Sequence, residues 1–253
     1  MSIRSRLGNI RRNILVSFCA RRVPLGHIGP VVTFCFDDFP RTAADVGGRI
    51  LEKYGARGTF YVAAGLMGTR NEVGELCQAE DLQALLDKGH ELGTQTFRHS
   101  SCRAVPFAAF ERDVLEGMEA VERITGHNST NFAYPYGDVT LRSKRLLGPA
   151  LTSSRSVIPG LNGPMVDLNL LRANRLYGDT SGSPEIADLI SENARHKSWL
   201  IFYTHDLSPT PSEYGCTPEL FEFAVSAAAK NGSRILTIGG LVSEILPGDR
   251  HGQ

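Results

Sequence analysis

The sequence has no excess of charge of either sign. Lys and Arg number 27 and Asp and Glu 27, so the formal net charge is zero. A general nucleic-acid binder is expected to be basic, and that class is set aside. Cysteine is sparse. The five residues, Cys19, Cys35, Cys77, Cys102 and Cys216, are odd in number and form no C-x-x-C pair. That argues against a disulfide framework or a zinc finger and predicts reduced thiols in a cytosol-like compartment. Long apolar runs are also missing. The basic N-terminus, MSIRSRLGNIRRNILVSFCARRVP, has an apolar stretch from Ile14 to Ala20, broken by Ser17 and followed at once by Arg21-Arg22. A secretory signal wants a longer apolar region and a small-residue cleavage site, and a membrane span needs about 20 apolar residues. Neither is predicted. The arm reads as a solvated lead-in helix, with contact to an anionic membrane surface as the alternative. The expected location is the cytoplasm, including the inner membrane face. No Walker loop, dinucleotide glycine fingerprint or G-x-S-x-G elbow occurs.

What is present is an alternation of two kinds of segment. The 253 residues, 42% of them hydrophobic, suit one large α/β domain or two small ones. Strands are predicted at Val31–Phe36, Thr59–Ala63, Glu91–Thr96, Asn131–Tyr136, Ala150–Ser156, Leu171–Leu176, Trp199–Thr204 and Arg234–Ile238. Helices are predicted at Ala43–Tyr54, Ala79–Lys88, Pro106–Ile124, Leu141–Leu147, Pro184–Lys197 and Pro218–Lys230. Strand–helix alternation argues for a parallel sheet, and seven or eight strands in this length argue for a closed (β/α) barrel. Between Pro149 and Asp179 turns replace helices, so the barrel is expected to be irregular there. The domain reading is a lead-in over 1–27, one barrel over 28–246 and a tail over 247–253.

In such a barrel the active site lies at the C-terminal strand ends. Four predicted strands end in reactive groups: Asp37-Asp38, His99, Pro135-Tyr136-Gly137 and His205-Asp206. Adjacent carboxylates at a strand end are costly unless each has its own partner. One reading makes one a metal ligand and the other a base; the other makes Asp38-Phe39-Pro40 a cap for the next helix. His205 ends the most apolar strand, WLIFYTH, as a general acid or base or as a satisfied core histidine. The Pro-Tyr-Gly turn either aims the Tyr136 N–H at an oxyanion or is an ordinary turn. Adjacent carboxylates do not suit a glycosidase, whose pair faces across the scissile bond at roughly 5–10 Å.

Taken in order, TFCFDDFP, HELGTQTFRHS, FAYPYG and FYTHD resemble the motifs of the polysaccharide deacetylases, the NodB-homology or carbohydrate esterase 4 family. The resemblance runs from about residue 28 to about residue 240. It implies an irregular (β/α)7 barrel and metal-assisted removal of acetyl groups from N-acetylated saccharides. Asp38 and His99 would be metal ligands, Asp37 the general base and His205 the general acid. Pro135 and Tyr136 would bind substrate, with the Tyr136 N–H holding the oxyanion. The implied cofactor is a divalent metal, zinc first and cobalt or nickel as alternatives. The implied partner is an acetylated glycan or oligosaccharide, with no nucleic acid and no integral membrane segment; the oligomeric state is not specified.

The departures are as specific as the matches. Gln95 stands where the family pattern has its first histidine of the second motif, which makes it a weak or lost ligand. An amide oxygen is a neutral and uncommon zinc ligand. Cys102 is a nearby substitute. Ala133 replaces an arginine that would pair with the base, and Arg155 is the expected replacement, with Arg172 and Arg175 behind it. Phe39 replaces a glycine and Tyr203 a leucine. Asp167 and Asp179 are both candidates for the fourth motif. A catalytically impaired carbohydrate-binding pseudoenzyme is therefore the alternative function.

Overall fold

The computed structural model describes residues 17–246. Eight strands form the main sheet: β1 (Val31–Phe36), β2 (Thr59–Val62), β3 (Glu91–Thr94), β4 (Asn131–Ala133), β5 (Ser153–Arg155), β6 (Asn174–Arg175), β7 (Trp199–Thr204) and β8 (Arg234–Ile235). Their order is β6-β7-β1-β2-β3-β4-β5, with β8 added beside the start of β1. Every pairing is parallel. The helices are α1 (Arg49–Lys53), α2 (Ala79–Asp87), α3 (Phe107–Thr125), α4 (Leu141–Ala150), α5 (Ser183–His196), α6 (Pro218–Lys230) and α7 (Ile238–Ile245). A π-helical stretch, Ala43–Gly48, leads into α1.

The sheet curls, and its two ends meet through an irregular segment. Leu171 N–H donates to Ser154 O at 2.9 Å, and Ser156 N–H to Leu171 O at 2.9 Å. A few residues on, the same chain becomes β6 and pairs with β7. This is the predicted irregular (β/α)7 barrel, with its irregularity where turns replace helices. Beside it, Arg22–Pro24 pairs antiparallel with Met165–Asp167. Of the lead-in expected over 1–27, residues 1–16 lie outside the described residues, as does the tail expected over 247–253.

Period-two patterning sorts β1 between two cores. Val32, Phe34 and Phe36 face the helices and pack with Phe60, Phe202 and Phe221. Val31 and Cys35 face inward with Tyr61, Ala133 and Ile201. The Phe36 and Phe60 rings stack at 4.4 Å between centroids. Burying each such side chain stabilises the fold by about 1.5–3 kcal/mol.

Several boundaries differ from the sequence reading, and three of them have a clear local setting. The strand expected through Tyr136 stops at Ala133, because Pro135 lacks an N–H and Tyr136 turns left-handed at φ 58°. The strand expected through Thr96 stops at Thr94, with Thr96 at φ 63°. The last strand stops at Ile235, and Ile238 opens the unpredicted helix α7. The Thr237 hydroxyl caps α7 by accepting Gly240 N–H at 3.1 Å, and half-buried Glu91 accepts Gly239 N–H at 2.9 Å. The glycine pair in IGGLVSEI weakens any helical pattern read from sequence alone.

Candidate active site

The C-terminal strand ends surround a cavity of about 440 Å³ whose lining includes Asp37, Asp38, Gln95, His99, Tyr136 and His205. The residues predicted from four separate strand ends thus meet in one place. Pro135 does not join them. It is buried and is not among the residues that line the cavity.

The backbone at this rim is unusual. Asp38, Phe39, Thr96, His99 and Tyr136 all have φ between 47° and 63°. L-residues pay for that conformation, and such residues cluster where function demands it. The reversal at Asp38 separates the two carboxylates after β1. Asp37 points back to Arg155 on β5, and Asp38 turns toward the histidines. The capping role weighed for Asp38 is not what its side chain does.

Asp38 Oδ1 lies 3.1 Å from His99 Nε2, and Oδ2 lies 4.0 Å from His205 Nε2. The His99 Nε2–H donates to Gln95 Oε1 at 3.0 Å, which leaves the buried Asp38 Oδ1 without a hydrogen-bond donor. Burial pushes the Asp38 carboxyl above its ordinary value; His99 and His205 oppose that, while Asp37 and Glu72 add to it. An orphaned buried carboxylate oxygen beside an imidazole nitrogen and an amide oxygen is a donor set that fits a divalent cation. The fit is loose. Among the described residues no three His, Cys, Asp or Glu side chains gather to hold a metal. Cys102 does not help, because its thiol donates to Asp138 O at 3.2 Å.

The loop that carries His99 is fastened to α3. Phe97 N–H donates to Asp113 O at 2.8 Å, and Arg98 binds the Asp113 carboxylate through its N–H at 3.2 Å and its guanidinium at 2.9 Å. Burial works against the Asp113 charge, but hydrogen bonds from Ser100, Thr96 and Arg98 outweigh it and hold the carboxyl below its ordinary value. On the far side, His205 Nδ1–H donates to Tyr214 O at 3.1 Å, so Nε2 is the nitrogen turned toward Asp38.

Arg155 is the expected base partner. It is 1% exposed, its guanidinium is hydrogen-bonded to Asp37 Oδ1, and it stands in register beside Ala133 on the neighbouring strand. The other arginine candidates do not reach. Arg172 donates to Pro159 O, and Arg175 lies on the exposed side of β6. Asp167 pairs with Lys144 at 2.9 Å and Asp179 caps a turn through Ser181 N–H at 2.9 Å, so neither lines the cavity. Tyr177, Tyr214, Glu72 and Arg98 also line it and were not foreseen, because loops and single aromatics carry no pattern.

Comparison with known proteins bears on the fold. The family model for polysaccharide deacetylase matches residues 27–148. A solved structure described as T48 deacetylase with substrate is 18% identical, with a TM-score of 0.55, covering 86% of this chain and 93% of that one. The Xyl-CE4 domain of a multidomain xylanase from the hindgut metagenome of Trinervitermes trinervoides is 17% identical, with a TM-score of 0.58, covering 85% and 91%. A CE4 family pseudoenzyme from Bacillus anthracis is 12% identical, with a TM-score of 0.53, covering 84% and 65%. These likenesses speak for the fold. No curated protein matches the sequence. Residues 27–148, just under half of the chain, match the polysaccharide deacetylase family, and that stretch holds β1 to β4 with Asp37, Asp38, Gln95, His99 and Tyr136.

Proposed function

We propose that this chain removes acetyl groups from an N-acetylated saccharide, with a divalent cation held by Asp38, His99 and, weakly, the Gln95 amide oxygen. The observation that carries the reading is Asp37. Its carboxylate is paired with a buried arginine and borders the same cavity as His205. Asp37 takes the proton of the attacking water, and His205 delivers a proton to the departing amine. The left-handed turn at Tyr136 presents its N–H to the oxygen on which negative charge develops. A cation at Asp38 would polarise the acyl carbonyl and acidify water, zinc being the first choice and cobalt or nickel the alternatives. The cavity suits a ligand of sugar size. Acetate release from acetylated oligosaccharides by the metal-loaded protein tests the reading. No release from any of them, with Asp37→Asn changing nothing, would end it.

Gln95 favours a second reading, a carbohydrate-binding pseudoenzyme. Its buried Nε2 has no hydrogen-bond partner, so the amide sits imperfectly where a third strong ligand would stand. Elemental analysis separates the two. Stoichiometric metal speaks for the hydrolase, and glycan binding without metal or turnover speaks for the pseudoenzyme.

A further inference from the structure

We propose that Tyr203 is a positioning residue which, together with Tyr61, clamps the Arg155 guanidinium so that it points at Asp37. The proposal rests on reading Asp37 as the base. Tyr61 is on β2 and Tyr203 on β7, the two strands that flank β1. Arg155 reaches across the barrel interior from β5, and its guanidinium carbon lies 4.9 Å from the Tyr61 ring centroid and 5.1 Å from that of Tyr203.

The clamp answers a physical problem. A guanidinium has five N–H donors in a rigid fork. In this one, Nε has no partner, one terminal nitrogen donates to Ser156 O at 3.2 Å, and the other binds Asp37. So few bonds leave its tilt underdetermined. Aromatic faces favour a desolvated cation and, unlike another carboxylate, do not compete with Asp37 for it. Burial acts against the Arg155 charge, yet Asp37 and the surrounding groups hold its pKa above the ordinary value. The Tyr203 ring is itself braced edge-on by the Tyr177 ring, with centroids 5.6 Å apart. The Tyr177 ring in turn lies 6.0 Å from that of His205. Ala133 pairs in register with Arg155, so a guanidinium has replaced the missing one from one strand away. Arriving from a different strand, it needs a different support.

Arginine NMR on labelled protein tests this without turnover, with the Arg155 Hε signal assigned by its loss in Arg155→Lys. Held over two rings, that proton resonates upfield of free arginine in the wild type. Tyr203→Phe keeps the shift and keeps kcat within about twofold. Tyr203→Leu returns the signal toward the free position and lowers kcat about 100-fold with KM nearly unchanged, as expected for a misaligned group. A wild-type signal at the free-arginine position overturns the clamp, whether or not the Leu variant folds. Equal loss in the Phe and Leu variants also overturns it. If no variant, wild type included, releases acetate, the deacetylase reading fails while the spectrum still decides the clamp.

Discussion

Gln95 is the weakest of the three proposed metal donors, the others being Asp38 and His99. Its oxygen lies 3.0 Å from His99 Nε2, at about the spacing of two ligands on one small cation. Replacing that neutral oxygen by an imidazole should act more strongly than adding an outer hydrogen-bond partner, which is worth about 10–100-fold. We therefore expect Gln95→His to tighten zinc binding by at least about 100-fold in competition titrations. Thermal melts should report the same change. Metal bound only to the native state raises the melting temperature, so chelator should lower that of the variant more than that of the wild type. An unchanged affinity would mean that the donors are misplaced rather than weak. At Asp37 the expectation is a fall in kcat of about 10²–10⁴-fold on Asp37→Asn, with zinc content unaltered, since Asp37 pairs with Arg155 and Asp38 faces the histidines.

Among the elements, α3 decides where His99 stands. Gly117 lets the helix approach the loop after β3: a Cβ there would lie 2.8 Å from Thr96 C and 2.9 Å from Phe97 N. Both are backbone atoms and cannot turn aside. Gly117→Val should push the loop outward, lower the melting temperature by several degrees and weaken zinc binding together. Asp113 is the complementary hold. Asp113→Ala leaves the Arg98 N–H without its carboxylate and should cost roughly 2–3 kcal/mol in denaturant titrations, as for hydrogen bonds to a charged group. A variant that keeps full stability would show that the loop is held elsewhere. The turn after β4 depends on a different contact. Gly137 has φ 68°, and a Cβ there would meet Val157 at 2.1 Å, so only glycine gives Tyr136 its reversed backbone.

At the scale of the whole molecule, the barrel's lower end carries a pH-sensitive contact far from the cavity. His90 is 3% exposed; its Nδ1 accepts Gly58 N–H at 3.0 Å and its Nε2 faces Glu52 Oε1 at 3.3 Å. Burial lowers its pKa from 6.5, with Glu52 partly opposing. The unfolded chain therefore binds this proton at a higher pH than the folded one does. Its contribution to stability is complete above about pH 6.5 and is lost as the pH falls through the unfolded value toward the folded one. Urea titrations should show stability falling with acidification below pH 6.5, and His90→Gln should flatten that part of the profile. An identical slope in the variant would assign the effect to other groups.

The alternation of strands and helices, the chemical identity of the strand ends and the glutamine at position 95 are all properties of the sequence by itself. They follow from local patterns, because apolar periodicity, turn residues and the order of FDD, TQTFRHS, YPYG and THD are written along the chain. That order carries the resemblance to the polysaccharide deacetylases and supplies the candidates for base, acid and ligands. Tertiary structure alone decided which arginine pairs with Asp37. Arg155, Arg172 and Arg175 are alike as letters, and only Arg155 is delivered by β5 across the barrel interior. It also decided that Asp38 faces His99 rather than capping a helix, since that depends on a left-handed backbone at one residue. Tyr61, Tyr203, Gly117 and Asp113 gained their roles in the same way. Their partners lie far along the chain, and only the closing of the curled sheet brings them into contact.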